Sequence, residues 1–404
     1  MLPDLLSKLE DMYPELVKIR RDLHMYPELS HQEVDTPRKA ADYLRALGLE
    51  VRTEVGGRGV VGILRGGKPG KTIALRADFD ALPIRDEKEV EYKSRIPGVM
   101  HACGHDIHTA ALLGVARVLS NVREELAGNV VFLHQFAEEM PPGGAKAMIA
   151  DGCLDGVDEV YGAHVWSSET YGTIGVTDGY AMASGDGFEI EVSGRGGHGA
   201  QPHLTVDPLV AGCQLVVNLQ QIVSRQVNPI EAAVLSVGSI HSGLAANVIP
   251  DTCRISGTVR TFNRDVRTFI EQQIRQITAA TCEAAGAVGT VHYRTGYDAV
   301  WNHPQQTGYI RRLAQQLVGE ENVKALQPSM AGEDFSCYLQ KVPGTFFFVG
   351  GGNPQIGAVY PHHHPMFDVD ERSMLLIGKV FLSAVWGGGA SEASPVAVES
   401  GLQA

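Results

Sequence analysis

The segment MHACGHDIHT, residues 100 to 109, sets Cys103 and His105 either side of one glycine, with His101, Asp106 and His108 close by. Thiolate and imidazole are strong ligands for borderline-soft divalent metals, and Gly104 lets the backbone turn tightly enough for both to face one point. A lone histidine in a polar loop is ordinarily solvated, whereas a CxH pair inside an HxCxHxxH cluster points to metal. Further along, Glu138 and Glu139 follow the apolar run NVVFLHQ, His164 lies near the end of DEVYGAHV, and His362, His363 and His364 stand in a row. Cys103, His105, Glu139, His164 and one C-terminal histidine make five candidate ligands, more than one tetrahedral zinc ion takes. A set that includes an anionic sulfur able to bridge suits two ions roughly 3.5 to 4 Å apart that share a hydroxide. Glu138, next to Glu139, is placed to take a proton from that water and return it to a leaving amine. The chemistry is metal-assisted hydrolysis, and spacing alone does not say of which bond.

The elements that must hold these residues alternate. Residues 3 to 24 and 35 to 48 have helical apolar spacing, and between them lies LHMYPELSHQE. Runs at 60 to 64 and 72 to 76 read as strands joined by the turn-forming GGKPGK. The second empties into RADFDALPI, where Asp78 and Asp80, two apart on an extended segment, point the same way; the competing reading is a turn with solvated acids. The helical run 110 to 119 follows the CGH cluster, then come strands at 129 to 135 and 158 to 165. Strands alternating with helices predict an α/β fold with a largely parallel sheet covered on both faces, in which ligands gather at the carboxyl ends of strands. Asp80, Glu138, Glu139 and His164 all fall at or just past such ends.

From residue 184 the order changes to strand 186–193, helix 205–224, strand 233–240, strand 252–261, helix 264–285 and strand 288–294. This βαββαβ succession predicts a ferredoxin-like module inserted in the larger domain. Its first loop, GRGGHGAQPH, is glycine-rich but lacks a phosphate-binding lysine pattern. The α/β pattern resumes with helix 304–318, strand 345–349 and helix 370–385. The expected domains are 1–183 and 297–386, two parts of one metal-binding catalytic domain, 184–296 as the insertion, and 387–404 as a disordered tail of small and polar residues.

A chain of 404 residues exceeds one compact unit, and a formal charge of −13 opposes a nucleic-acid or anionic-membrane partner. The acidic, amphipathic start is unlike a signal peptide, and six cysteines scattered singly read as reduced thiols, so a cytoplasmic protein is expected.

The segments RDLHMYPELSHQE, ALRADFDALPI, MHACGHDIHTAALLG, AEEMPPGGAKAMIADG, GAHVW, GRGGHGAQPH, ANVIPD, GTVRTF, AGEDFS and HHPMFDVDE resemble, in order over residues 15 to 385, the motifs of the binuclear metallo-amidohydrolases. That group includes hippurate hydrolases, N-acyl-amino-acid amidohydrolases and indoleacetyl-amino-acid hydrolases, within the aminoacylase and carboxypeptidase superfamily. The resemblance implies a di-metal aminopeptidase-like catalytic domain and an inserted lid and dimerisation domain. It implies that Cys103 bridges two metals, with His105 and His164 completing one shell and Glu139 and His363 the other. His363 matches on its position two residues before Pro365, although His362 and His364 allow a slip of one residue. Glu138 matches the general base and Asp80 a carboxylate that orients a ligand. His198 matches a histidine that in several relatives reaches the partner subunit's site and polarises the scissile carbonyl. Asn247 and Arg260 fall where relatives bind a substrate carboxylate.

The function so implied is hydrolysis of the amide bond of N-acyl or N-aroyl amino acids by a homodimer or homotetramer with two divalent ions per subunit, drawn from Zn, Mn, Co and Ni. A metallocarboxypeptidase or dipeptidase acting on short peptides is the alternative. A scaffold that binds metal without catalysis has no need of Glu138 beside Glu139, and a deacetylase acting on amides without a carboxylate has no need of Arg260.

Overall fold

The computed structural model describes residues 1 to 388; the expected tail lies, beyond Gly388, outside the described residues. The chain divides into two compact units, Met1–Gly179 with Asn302–Leu326 and the segment from Tyr338 onward, and Tyr180–Trp301 with Gln327–Cys337.

The first unit is built on a mixed, largely parallel eight-stranded sheet flanked by helices. Across it the strands run Glu50–Val55, Gly59–Arg65, Ala127–Gln135, Lys68–Asp78, Glu159–Thr170, Gly344–Gly352, Ile174–Gly175 and Val323–Lys324. The four central strands are mutually parallel. Their register sets the site: Asp78 pairs with Gln135, and Arg76 with Gly162, so that Asp78, Gln135 and His164 reach the same level at the carboxyl edge. Asp80 and Glu138 lie just beyond.

Helix His105–Ser120 is buried along its length except at Arg117 and, in part, Ser120, as a helix apolar on all sides must be. Gly114 allows the close crossing of Leu16, for a Cβ there would meet the Leu16 side chain at 2.7 Å. The N-terminal helical stretch is two helices, Leu2–Asp11 and Tyr13–Met25, interrupted at Met12 because Pro14 enters the first turn of the second. The strand Glu50–Val55 was not anticipated; it is an edge strand, EVRTEV, mostly exposed and without an apolar run.

The second unit has strands Ser184–Ser193, Ala233–Ser242, Thr252–Thr261 and Val288–Thr295 with helices Pro208–Leu219 and Arg264–Ala284, in βαββαβ order. The all-antiparallel sheet places the first and third strands at its centre. Phe188, Ile190, Val192, Leu215, Ile255 and Ile274 form its own core. Helix 208–219 starts later than its periodicity predicts because Asp207 caps it, accepting from the amides of Leu209 and Val210 ahead of Pro208.

Candidate metal centre

Gly104 adopts φ 97° immediately before helix His105–Ser120, and a Cβ there would stand 2.4 Å from Val165. Only glycine permits this turn, which brings Cys103 and His105 to one side. Two donor groups then share a sulfur. Cys103, His105 and His164 form one, Cys103, Glu139 and His363 the other, the ligand atoms of each lying within 4.8 Å of one another.

Each imidazole is held by one nitrogen and offers the other. His105 Nδ1 is 3.1 Å from Asp80 Oδ1, while its buried Nε2 has no hydrogen-bond partner. His164 Nδ1 donates to the Val165 carbonyl at 2.7 Å, leaving Nε2 3.4 Å from Cys103 Sγ. Of the three C-terminal histidines, His363 takes the left-handed backbone, φ 64°, and carries its Nε2 to 3.2 Å from Glu139 Oε1. His362 Nε2 instead accepts the Ser167 amide at 3.1 Å, and His364 Nδ1 accepts the Met366 amide at 3.0 Å while its ring stacks on Tyr360.

Carboxylates crowd the same space. Glu138 Oε2 and Glu139 Oε1 lie 3.9 and 4.0 Å from His105 Nε2. Burial pushes the Cys103 thiol well up, and Glu139, Glu138 and Asp78 push it further. Burial alone would lower the His105 imidazole, yet Asp78, Asp80 and Glu139 together raise it to about 10. A buried thiol and an imidazole that hold their protons this tightly beside several carboxylates mark a site whose negative charge calls for cations. The mixed S, N and O donors, the orphaned His105 Nε2 and the shared sulfur fit a pair of divalent ions.

Support comes from a surrounding layer in which Ser30, Arg76, Arg20 and His24 were not singled out by sequence reading. Ser30 Oγ donates to Asp80 Oδ2 at 2.7 Å, and the same oxygen accepts the Glu139 amide at 3.0 Å. Asp78 is bonded to Arg76 and His108, both at 2.6 Å, and His108 Nε2 accepts the amide of Val165, next to His164. Asp78 Oδ2 also lies 3.6 Å from His105 Nε2, and Asp78, His105 and His108 form a further buried donor group. His101 is buried outside both donor groups, and burial lowers its imidazole to about 4. Beneath the helix, buried Arg20 bonds Asp106 at 2.7 Å and Asp368 at 2.9 Å, while His24 Nδ1 also reaches Asp106, at 2.8 Å. The spacing of Arg20 and His24, one helical turn apart, was the available signal.

In the second unit, His198 lies in a short two-stranded antiparallel ribbon, paired with Val248, and the Gly199 amide donates to the Asn247 carbonyl at 2.8 Å. His198 and Asn247 are thus neighbours. Arg260 is not with them. The ribbon leaves the sheet where Thr252 pairs with Ser193, whereas Arg260 pairs with Gly185 at the far end, eight residues or roughly 26 Å along the strand. There the half-buried guanidinium donates to the carbonyl of Val259 at 3.0 Å.

The sequence matches the family model described as Peptidase family M20/M25/M40 over residues 74–386. It is 42% identical over 367 residues to an N-acetyl-L-cysteine deacetylase of Bacillus subtilis (strain 168), covering 91% of this chain and 86% of that one. A thermostable carboxypeptidase 1 of Saccharolobus solfataricus is 41% identical over 375 residues, covering 91% of this chain and 95% of its own. Among solved structures, the YXEP protein of Bacillus subtilis, described as a dinuclear metal binding peptidase from the M20 family, superposes with a TM-score of 0.80 at 33% identity over 93% of this chain and 98% of that one.

Proposed function

From the premise that the chain belongs to peptidase family M20/M25/M40, and is a metal-dependent amide hydrolase, we propose that it cleaves the amide bond of N-acyl and N-aroyl amino acids, releasing an acid and a free amino acid. The observation that carries the reading is the pair of donor groups meeting at Cys103 with Glu138 alongside. Cys103, His105 and His164 would hold one ion, and Cys103, Glu139 and His363 the other. When bound, such a pair acidifies water and polarises a carbonyl. Glu138 takes the proton released as the nucleophile forms and hands it to the leaving nitrogen, which must be protonated before it departs as an amine. Asp80 keeps the His105 Nδ1 proton on its own side, so that Nε2 presents a lone pair to the metal.

His198 supplies a hydrogen bond to the developing oxyanion, and Arg260 a bidentate fork for the substrate carboxylate. Their separation along the sheet exceeds the size of such a substrate. A homodimer in which one subunit lends His198 and Asn247 to a site served by its partner's own Arg260 accounts for that distance. Exposed Val210, Cys213 and Val217 on helix Pro208–Leu219, with fully exposed Leu244, give the unit an apolar surface suited to such an assembly. Zn, Mn, Co and Ni all suit the donor set.

The carboxypeptidase relative keeps a second reading in play, because both reactions expel an amino acid from an acyl carbon and differ only in the acyl group. Metal-loaded protein assayed against N-acetyl and N-benzoyl amino acids beside unblocked dipeptides separates them. The proposal expects kcat/KM to favour the blocked substrates; preference for unblocked dipeptides overturns it.

A further inference from the structure

The segment PELSHQE, residues 27 to 33, has entered so far only through Ser30, yet it meets the loop carrying Glu138 at three points. Ser30 fixes Asp80, which accepts the Glu139 amide. His31 Nε2 lies 3.2 Å from the Met140 carbonyl. Between these, Glu33 Oε1 accepts the Ala137 amide at 2.9 Å. Ala137 has φ 50°, a left-handed conformation that a residue with a Cβ seldom adopts, and it immediately precedes Glu138. The Glu33 side chain is wholly buried, and its own carbonyl accepts from the Arg58 guanidinium. Burying a carboxylate is costly, and here one oxygen accepts from that strained residue while the other lies 3.9 Å from the Arg58 guanidinium.

We propose that Glu33 is a positioning residue for Glu138: by accepting the Ala137 amide it holds the left-handed turn that aims the base at the site. The proposal rests on the assignment of Glu138 as the base. Without the acceptor, Ala137 relaxes toward negative φ and rotates the next peptide. Asp80 still holds the amide of Glu139, so the displacement falls on Glu138 rather than on the metal ligand. The effect is therefore on turnover and not on metal.

The test uses metal-loaded full-length protein. Glu33→Leu, close in size but without an acceptor, should lower kcat roughly 10- to 100-fold, as misplacement of a reacting group by about 1 Å does, with KM and metal per chain unchanged. Glu33→Gln, which keeps an acceptor oxygen, should retain most of the wild-type kcat. Ala137→Gly, which adopts the left-handed turn without strain, should recover part of the loss in the Glu33→Leu background. In a Glu138→Ala background, Glu33→Leu should add little, because the group it aims is gone. Glu33→Ala, which leaves room for water, serves in the same comparisons if Glu33→Leu does not fold. A Gln variant as damaged as Leu, loss of bound metal, or an undiminished effect in the Glu138→Ala background overturns the role of Glu33 while leaving the base assignment standing. Near-normal turnover of Glu138→Ala alone overturns the base assignment itself.

Discussion

Asp80 Oδ1 lies 3.1 Å from His105 Nδ1 while the other oxygen of the same carboxylate accepts the amide of Glu139. One side chain thus orients a ligand from each of the two donor groups, and burial that would raise its carboxyl is outweighed by His105, Ser30 and the Glu139 amide, which hold it below the usual range.

Removing that carboxylate should therefore weaken metal binding before it weakens anything else. Asp80→Ala is expected to lower affinity for divalent ions by about 10- to 100-fold, the usual size of such an effect. Titration with a competing chelator measures it, and unchanged affinity for both ions would show that Asp80 has another task.

Arg20 neutralises carboxylates that arrive from two distant segments. Burial alone would raise the carboxyls of Asp106 and Asp368, but Arg20 above all, with His24, holds both below the ordinary range. Acids shifted this way add stability above their unfolded value, near pH 4, and lose it as pH falls through the lower folded values. Arg20→Leu takes away the buried cation they share, leaving Asp106 with His24 and Asp368 with Tyr92, and should cost about 3 to 5 kcal/mol at pH 7. Their pKa values then rise, so the deficit should shrink as pH falls from 7 toward 5. Thermal unfolding of both proteins at the two pH values checks this, and equal Tm at pH 7 would remove the network from the stability account.

His198, in the pairing that leaves one end of the sheet, and Arg260, at the other end, predict complementation. His198→Ala and Arg260→Ala should each be nearly inactive alone. Mixed dimers would contain one intact site, so randomly reassorted subunits should recover roughly a quarter of wild-type activity in a two-fold assembly. No recovery above the sum of the parents, with exchange of subunits verified, would place both residues at the same subunit's site or at none.

Much of this was legible in the residues themselves. CxH before an apolar run led to the Gly104 turn because only glycine serves there. The βαββαβ order was readable because the alternating apolar positions of Ser184–Ser193 and the helical spacing of Arg264–Ala284 are sustained over whole elements. The strand Glu50–Val55 left no trace because an edge strand buries little. Asp78 and Asp80 looked equivalent from their spacing; Arg76 and His108 separate them, and such pairing depends on which strands adjoin. The Ser30, Glu33 and Arg20 contacts span 50 to 351 positions in sequence, a distance no local pattern encodes.

The central claim, two metals with Glu138 as the base, is tested most directly by Glu138→Ala, measuring bound metal and turnover of an N-acyl amino acid on the same sample. The account predicts two ions per chain, as in the wild type, with turnover reduced about 10²- to 10⁴-fold. Two ions retained with turnover above about a tenth of wild type, given the expected size of a general-base contribution, would contradict it.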